Sequence, residues 1–364
     1  MSHSESSHAP PAELIKSIHF LRASAALMVL AFHAANTAEV YGGFTHFTSN
    51  AAAAGVDILF IISGFVITWI TQNNLHQPLD FMVRRLIRVV PAYWFFTSVT
   101  LALLVAIPAL AARLKPDLWH TVMSYLFVLS KNNNNDIGTL LGVGWTVCFE
   151  MYFYVVFAVM MALLGRSALY GVAVVVIVGA LLQNVVNAPP FATVAASSIP
   201  LEFLAGCILA KVYMRKWFLP ALPAIAAVLA SSVFIYWIGS QVLVKHEYDA
   251  WRVLYFGLPS VILTAGLLSL EGRRLVTFPA LMIAIGDASY SLYLSHQLLQ
   301  QFIGRIWKML GLRDALPPNL LFVIGIVAPI VAALICYRWF ERPTTRWLNM
   351  KWRRRNDALA TVQP

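Results

Sequence analysis

Ten long apolar stretches constrain the fold of this sequence more than any other feature. They occupy residues 13–37, 52–72, 91–112, 143–164, 167–186, 196–213, 218–239, 251–270, 278–303 and 319–340. A helix needs about 20 apolar residues to cross the roughly 30 Å of hydrocarbon in a bilayer. Because unpaired backbone groups are costly in lipid, such stretches cross it as helices. The sequence therefore predicts an all-α polytopic membrane bundle of about ten transmembrane helices with no soluble domain.

A shorter apolar segment, from Trp119 to Ser130, raises the question of an eleventh crossing. A segment of about 12 residues is more often interfacial or re-entrant than spanning. Cytoplasmic loops collect Lys and Arg, and ten crossings from a cytoplasmic N-terminus place 18 of the 26 Lys and Arg inside. An eleventh crossing would move the basic C-terminal tail outside. We therefore expect ten crossings with both termini in the cytoplasm.

The composition supports a membrane protein and limits the other classes. Charged residues make up 12% of the chain, against about 25% in an ordinary soluble domain. The net charge of +10 is typical of basic cytoplasmic loops, so we expect no nucleic-acid partner. The three cysteines show no metal-ligand spacing, so we expect no metal site. We divide the chain into a disordered tail (1–12), a transmembrane domain (13–345) and a basic cytoplasmic tail (346–364).

Two ionisable residues on the first helix fall on one face. Arg22 and His33 are 11 positions apart, which is three turns plus about 20°, and they lie about 16 Å apart along the axis. Ionisable groups at membrane depth are costly and are often functional. A lone histidine on a helix is nevertheless more often structural than catalytic, so both interpretations of His33 stay open.

Two carboxylates also lie in apolar stretches. Asp57 follows Gly55 and Val56 near the start of the second stretch, where it fits a helix cap, a polar packing contact or a functional role. Glu150 lies among aromatic residues in the fourth stretch. A carboxylate in such surroundings must be paired or protonated. A structural ion pair with an arginine explains Glu150 as well as a catalytic role does.

Three arginines, Arg84, Arg85 and Arg88, lie just before Pro91 at the expected cytoplasmic start of the third helix. Ordinary anchoring of a helix by positive charge explains such a cluster. Arg84 and Arg88 are i, i+4 neighbours if the segment is helical, and arginine forks suit phosphate oxygens. The cluster therefore also fits a polyphosphate clamp.

A polar stripe marks the ninth stretch. Ser289, Tyr293 and His296 follow the i, i+4, i+7 spacing of one helix face. A hydrogen-bonded seam between helices explains this stripe as well as a binding site does.

Six of these segments, in this order, resemble the signatures of the acyltransferase-3 family of integral membrane O-acyltransferases, of the exopolysaccharide and lipopolysaccharide O-acetylase type. They are Arg22 with His33, residues 55–65, residues 84–91, residues 145–154, residues 289–296 and residues 341–343. The resemblance runs through most of the chain. Val147 stands where the family usually has leucine, a mild departure. Some members carry a soluble esterase-like domain after the last helix, and we expect none here.

The resemblance implies a reaction and a set of roles. It implies acetyl-CoA as the acyl donor, no permanently bound cofactor, and a carbohydrate or lipid-linked glycan as the acceptor, within the lipid of a bacterial inner membrane. It assigns His33, Glu150 and Asp57 to catalysis, with His33 as general base, and Arg22, Arg84, Arg85 and Arg88 to the donor. Trp145, Ser289, Tyr293 and His296 are expected to bind substrate or to be structural polar residues.

Three alternatives stay open at the level of sequence. A transporter or flippase of a lipid-linked glycan would share the intramembrane charges. A structural subunit of a polysaccharide synthase would use the polar stripes only to hold helices together. A member of the same family could transfer a succinyl or longer acyl group instead of acetyl.

Overall fold

The described part of the chain is almost entirely helical. The structure is a computed structural model that describes residues 15–43, 50–72, 75–106, 117–183, 185, 188–241 and 251–360. Its α-helices are α1 (Lys16–Gly42), α2 (Ala54–Thr71), α3 (Pro78–Ala106), α4 (Leu118–Tyr125), α5 (Trp145–Leu164), α6 (Ala168–Leu182), α7 (Pro200–Met214), α8 (Ala221–Gln241), α9 (Leu258–Gly272), α10 (Ala280–Asp287), α11 (Ser289–Met309), α12 (Pro318–Cys336) and α13 (Arg342–Ala360). Strands β1 (Ser130–Lys131) and β2 (Ile137–Gly138) form a short antiparallel hairpin.

The predicted all-α membrane bundle is confirmed. Each of the ten apolar stretches contains a helix, and seven helical segments of the described residues are long and apolar enough to cross a membrane. Two of these segments, 142–182 and 319–358, each contain more than one α-helix. The segment from Trp119 to Ser130 contains all but the first residue of the eight-residue helix α4, a turn and the first residue of β1.

Three boundaries differ from the sequence prediction. Helix α3 begins at Pro78 and contains Pro91 in its interior. Its first turns carry arginines, so they were not counted as part of an apolar stretch. In the structure these arginines either pair with carboxylates or line cavities. The ninth stretch is divided at Ala288 between α10 and α11. The predicted basic tail is helical as far as residue 360, and a π-helical turn, Tyr337–Glu341, joins α13 to α12. The predicted N-terminal tail lies outside the described residues.

Helix α1 is central and packs against α2, α10, α11 and α12. Its neighbour α2 crosses α7, and the two backbones come very close together at one glycine on each helix. A Cβ atom on Gly64 would lie 1.9 Å from the carbonyl oxygen of Phe203, and one on Gly206 would lie 1.9 Å from that of Ile61. Small residues at a helix crossing let two backbones approach closely. This crossing fixes α2 against α7, and α2 in turn approaches α1 at Gly55, where a Cβ would lie 2.4 Å from the carbonyl oxygen of Ala25.

Candidate active site

The face of α1 that carries Arg22 and His33 packs against α11. Arg22 Nε donates a hydrogen bond to Ser289 Oγ at 3.2 Å. The ring centroids of His33 and His296 are 5.2 Å apart. Both α1 side chains therefore meet the polar stripe of α11, as their spacing predicts.

The histidine pair leaves a nitrogen available for chemistry on each ring. Nδ1 of His296 lies 3.1 Å from the carbonyl oxygen of Leu292. A carbonyl only accepts hydrogen bonds, so this contact assigns the proton to Nδ1 and leaves Nε2 as an acceptor. Within the described residues, His296 Nε2 is buried without a hydrogen-bond partner. The ring of His33 makes no hydrogen bond there either and packs between Phe32 and His296. The two imidazole rings thus lie against each other, and each has a ring nitrogen that can accept or donate a proton.

A polar cavity lies beside the pair, and we call it the central cavity. Its volume is about 110 Å³. The polar and charged side chains that line it belong to Arg22, Ser63, Arg85, Arg88, Thr146, Glu150, Tyr154, Ser289, Tyr290 and Tyr293. Tyr293 connects the cavity to the histidine pair, because its ring centroid is 5.8 Å from that of His296.

Glu150 is held inside the central cavity by hydroxyl groups. Its Oε1 accepts a hydrogen bond from Ser63 Oγ at 3.1 Å and another from the Tyr154 hydroxyl. Among the described residues it has no cation within 4.0 Å, so the structural ion pair considered for it is not formed. It makes no hydrogen bond to His33 there. Glu150 therefore belongs to the wall of the cavity.

The three arginines near Pro91 separate into different surroundings. Arg84 Nε pairs with Asp80 at 2.7 Å on the helix surface. Arg88 pairs with Glu341, which also accepts a hydrogen bond from Ser291. The buried Nε of Arg85 has no hydrogen-bond partner in the described part of the chain.

Arg85 connects two cavities. Its guanidinium lies 6.0 Å from the ring centroid of Phe81 and 5.9 Å from that of Tyr154. It lines the central cavity and also a second one of about 440 Å³, which we call the basal cavity. The basal cavity is lined by Ile70, Thr71, Gln77, Asp80, Phe81, Arg84, Arg85 and Arg353. Three arginines and one carboxylate give this cavity an excess of positive charge.

Helix α13 contributes to the basal cavity, which the sequence analysis did not predict. The indole Nε1 of Trp352 donates to Asp80 Oδ1 at 2.7 Å, so one carboxylate ties α13 and Arg84 together. This contact places Arg353 in the wall of the cavity. A signal was present in the run of basic residues at 353–355, but anchoring of the membrane domain explained it equally well.

Asp57 lies in a separate buried ion pair. Its carboxylate accepts from Arg252 Nη2 at 2.6 Å and from Nε at 3.1 Å, and the two side chains are 0% and 4% exposed. Glu202 is buried beside the pair. The pair joins α2 to the chain just before α9, and Asp57 lines none of the cavities described here. Arg252 is 195 positions away in the chain, and no pattern in the sequence identifies it as the partner of Asp57.

Trp145 lies in the apolar core at the start of α5. Its ring centroid is 6.4 Å from that of Phe60 and 5.8 Å from that of Phe149. The next two residues, Thr146 and Val147, line the central cavity. Trp145 therefore positions the first turn of α5, which carries part of the cavity wall.

Comparisons with known proteins identify the family. A family model described as an acyltransferase domain matches residues 15–338. Exopolysaccharide production protein ExoZ of Rhizobium meliloti (strain 1021) is 31% identical over 304 aligned positions, covering 83% of this chain and 91% of that protein. O-acetyltransferase OatA of Staphylococcus aureus (strain NCTC 8325 / PS 47) is 26% identical over 359 aligned positions, covering 89% of this chain but only 56% of that protein.

No solved structure matches this chain. The family assignment depends instead on a match that covers almost all of the helical bundle, with the histidine pair and the central cavity inside it. The chain therefore belongs to the acyltransferase-3 family and is a multi-pass membrane O-acyltransferase.

Proposed function

We propose that the protein transfers an acetyl group from acetyl-CoA to a hydroxyl of a surface or exported polysaccharide, in the inner membrane of a bacterium. The observation that carries this proposal is the contact of His33 with His296, whose Nε2 has no hydrogen-bond partner among the described residues, next to a cavity rich in arginine. The names of ExoZ and OatA, which refer to exopolysaccharide and to O-acetyl transfer, support the choice of acceptor and acyl group.

The basal cavity suits the phosphates of the donor. Arg85 has a buried nitrogen without a partner, and Arg84 and Arg353 line the same cavity. Guanidinium groups bind phosphate oxygens through paired hydrogen bonds. Arg85 also lines the central cavity, so a donor held by its phosphates in the basal cavity can extend its thioester arm past Arg85 towards Tyr293 and the histidine pair. Arg22 and Arg88 add positive charge along this route.

The histidine pair suits the chemistry at the acceptor. In the proposed reaction His33 removes the proton of the sugar hydroxyl while its oxygen attacks the thioester carbonyl carbon. The carbon–oxygen bond of the ester forms, the carbon–sulfur bond breaks, and the CoA thiolate leaves and takes up a proton. An imidazole is suited to this step because its usual pKa is close to neutrality. His296 lies against His33 and orients it or shares its proton.

Two other predicted residues, Glu150 and Asp57, have supporting roles in this proposal. Glu150 is bound to Ser63 and Tyr154 and shapes the central cavity, where it balances part of the arginine charge. The family resemblance assigned Asp57 to catalysis. In this proposal Asp57 has a structural role, because its carboxylate forms a buried ion pair with Arg252. The proposed orientation has both termini in the cytoplasm, which agrees with the contact between α13 and the start of α3.

The proposal is tested by acetyl transfer in membranes. Membranes with wild-type protein or with His33→Ala are incubated with radiolabelled acetyl-CoA, and the label in extracted glycan is counted. We expect label with the wild type and none with the variant, while both proteins are present in equal, monodisperse amounts after extraction in detergent. Equal labelling by both proteins would remove His33 from the chemistry. Label from succinyl-CoA but not from acetyl-CoA would replace the acetyl group in the proposal.

A further inference from the structure

A third cavity lies at the other end of α11 from Arg22, and we call it the distal cavity. Its volume is about 290 Å³, and it is lined by Thr100, Leu103, Leu104, Leu140, Leu141, Gly142, Gln297, Leu298, Gln301, Phe302 and Arg305. The last turns of α11 lie against the last turns of α1 at this end, where Gly304 approaches Thr37 and Tyr41. The distal and basal cavities are thus at opposite ends of the bundle.

The polar residues of the distal cavity continue the stripe that carries the histidine pair. Gln297, Gln301 and Arg305 follow one another at intervals of four residues and share a face of α11. Gln297 is adjacent in sequence to His296. The backbone of Gly142 closes the cavity at this point, because a Cβ there would lie 2.3 Å from Gln297 Oε1. The cavity therefore begins one residue along α11 from His296, a member of the proposed reaction centre.

Arg305 supplies an uncompensated charge in this cavity. Its Nη1 is buried without a hydrogen-bond partner, and no carboxylate of the described residues lies within 4.0 Å of its guanidinium. Arg305 as a whole is half-buried, and shielding one of its nitrogens from water without a partner is costly. It becomes favourable when a ligand brings an anion, because hydrogen bonds between ionised groups are among the strongest in proteins.

We infer that the distal cavity binds an anionic acceptor glycan, with Arg305 on its charged group and the amides of Gln297 and Gln301 on its hydroxyls. This inference rests on the proposed function, since it names the substrate class of that reaction. The anion is either the phosphate of a lipid carrier or a carboxylate of the sugar itself. The leucines and Phe302 around the amides form an apolar wall against which the chain of a lipid carrier, or the apolar face of a sugar ring, can pack.

Binding of two anionic probes tests the inference without acetyl-CoA. Radiolabelled geranylgeranyl phosphate and an oligogalacturonate are each bound to full-length protein in nanodiscs, with geranylgeraniol as the uncharged comparison. We expect one of the two anions to bind the wild type and to bind Arg305→Gln about tenfold more weakly, the loss that corresponds to a hydrogen bond to a charged group. The control is Arg313→Gln, because Arg313 is exposed in the turn after α11 and lines none of the cavities.

Each result has a clear meaning. Loss of phosphate binding in Arg305→Gln identifies a lipid carrier, and loss of oligogalacturonate binding identifies an acidic sugar. Equal binding by wild type and Arg305→Gln, or no binding of either anion, overturns the inference.

Transfer kinetics then separate the inference from the proposed function. If wild type acetylates glycan, Arg305→Gln should raise the KM for glycan by about tenfold and leave the KM for acetyl-CoA unchanged. If wild type transfers no acetyl group although anion binding depends on Arg305, the proposed function fails and the site stands.

Discussion

The imidazole rings of His33 and His296 face each other across the interface of α1 and α11, with their planes inclined by 44°. Because the ring centroids are only 5.2 Å apart, we expect the two histidines to share one role in catalysis. His33→Ala and His296→Ala should each lower the rate of acyl transfer by about 100-fold or more. The double variant should be no slower than the slower single variant, since residues that act together are not additive. Initial rates at saturating donor and acceptor measure this.

The matched control for the histidine pair is His19→Ala. His19 lies on the same helix, but its Nδ1 is 2.8 Å from Asp287, and it lines none of the three cavities. This variant should transfer at the wild-type rate. Independent, multiplicative losses from the two histidine variants would contradict the assignment of a shared role.

Arg85 should contribute more to donor binding than Arg84. Arg84 is already paired with Asp80, and its side chain is 36% exposed, whereas the Nε of Arg85 is buried and unpartnered. Arg85→Ala should therefore raise the KM for acetyl-CoA by about tenfold or more, the value of a charge-assisted hydrogen bond. Arg84→Ala should raise it by a smaller factor. Equilibrium binding of radiolabelled acetyl-CoA to protein in nanodiscs gives the same comparison without turnover.

Arg166→Ala is the control for the arginine variants. Arg166 is exposed in the turn between α5 and α6 and lines none of the cavities. Its replacement should leave donor affinity unchanged. Equal affinities for wild type and Arg85→Ala would remove Arg85 from the donor site.

The buried pair of Asp57 and Arg252 should control stability. Asp57→Ala removes the carboxylate that is hydrogen-bonded to the buried guanidinium, and we expect a loss of about 3–5 kcal/mol in the free energy of unfolding. The double variant Asp57→Leu/Arg252→Met removes both charges and should recover most of that loss. Thermal unfolding in detergent, followed by fluorescence-detected size exclusion, ranks the three proteins. A double variant less stable than Asp57→Ala would contradict a purely structural pair.

The crossing of α2 and α7 should not tolerate a side chain. Gly64→Ala places a carbon 1.9 Å from the Phe203 carbonyl oxygen, and backbone must move to admit it. Overpacking costs about 1–3 kcal/mol and sometimes more, so we expect less monodisperse protein after extraction. Gly325→Ala is the control, because its Cβ would lie 3.4 Å from the nearest atom of Ala34. Equal yields from the two variants would show that α2 and α7 can separate without cost.

Sequence reasoning predicted the helices well because lipid sets their length. All ten apolar stretches contain helices. In hydrocarbon the backbone N–H and C=O groups of such a stretch find hydrogen-bond partners within the chain only when the stretch is helical. It failed at the start of α3, where arginines extend the helix beyond its apolar part. Those arginines are compatible with the helix because Asp80 and Glu341 pair with two of them.

The partners within the site were much harder to predict. Asp57 and Arg252 are 195 positions apart, and Arg88 and Glu341 are 253 apart. Periodicity within one helix shows which residues share a face, as it did for Arg22 and His33. It carries no information on which other helix meets that face. The charges of the site were therefore visible in the sequence, while their pairing required the three-dimensional arrangement of the helices.

Helix α11 passes from the wall of the central cavity, at Ser289, to the wall of the distal cavity, at Arg305, with His296 between them. Under the proposed function neither the nucleotide nor the sugar polymer has to traverse the bilayer. On that proposal only the two-carbon acetyl group passes from the donor at the basal end to a glycan at the distal end, and cleavage of the thioester bond provides the driving force. A bundle that moves so small a group needs no large rocking motion of its helices of the kind that a carrier of whole glycans requires.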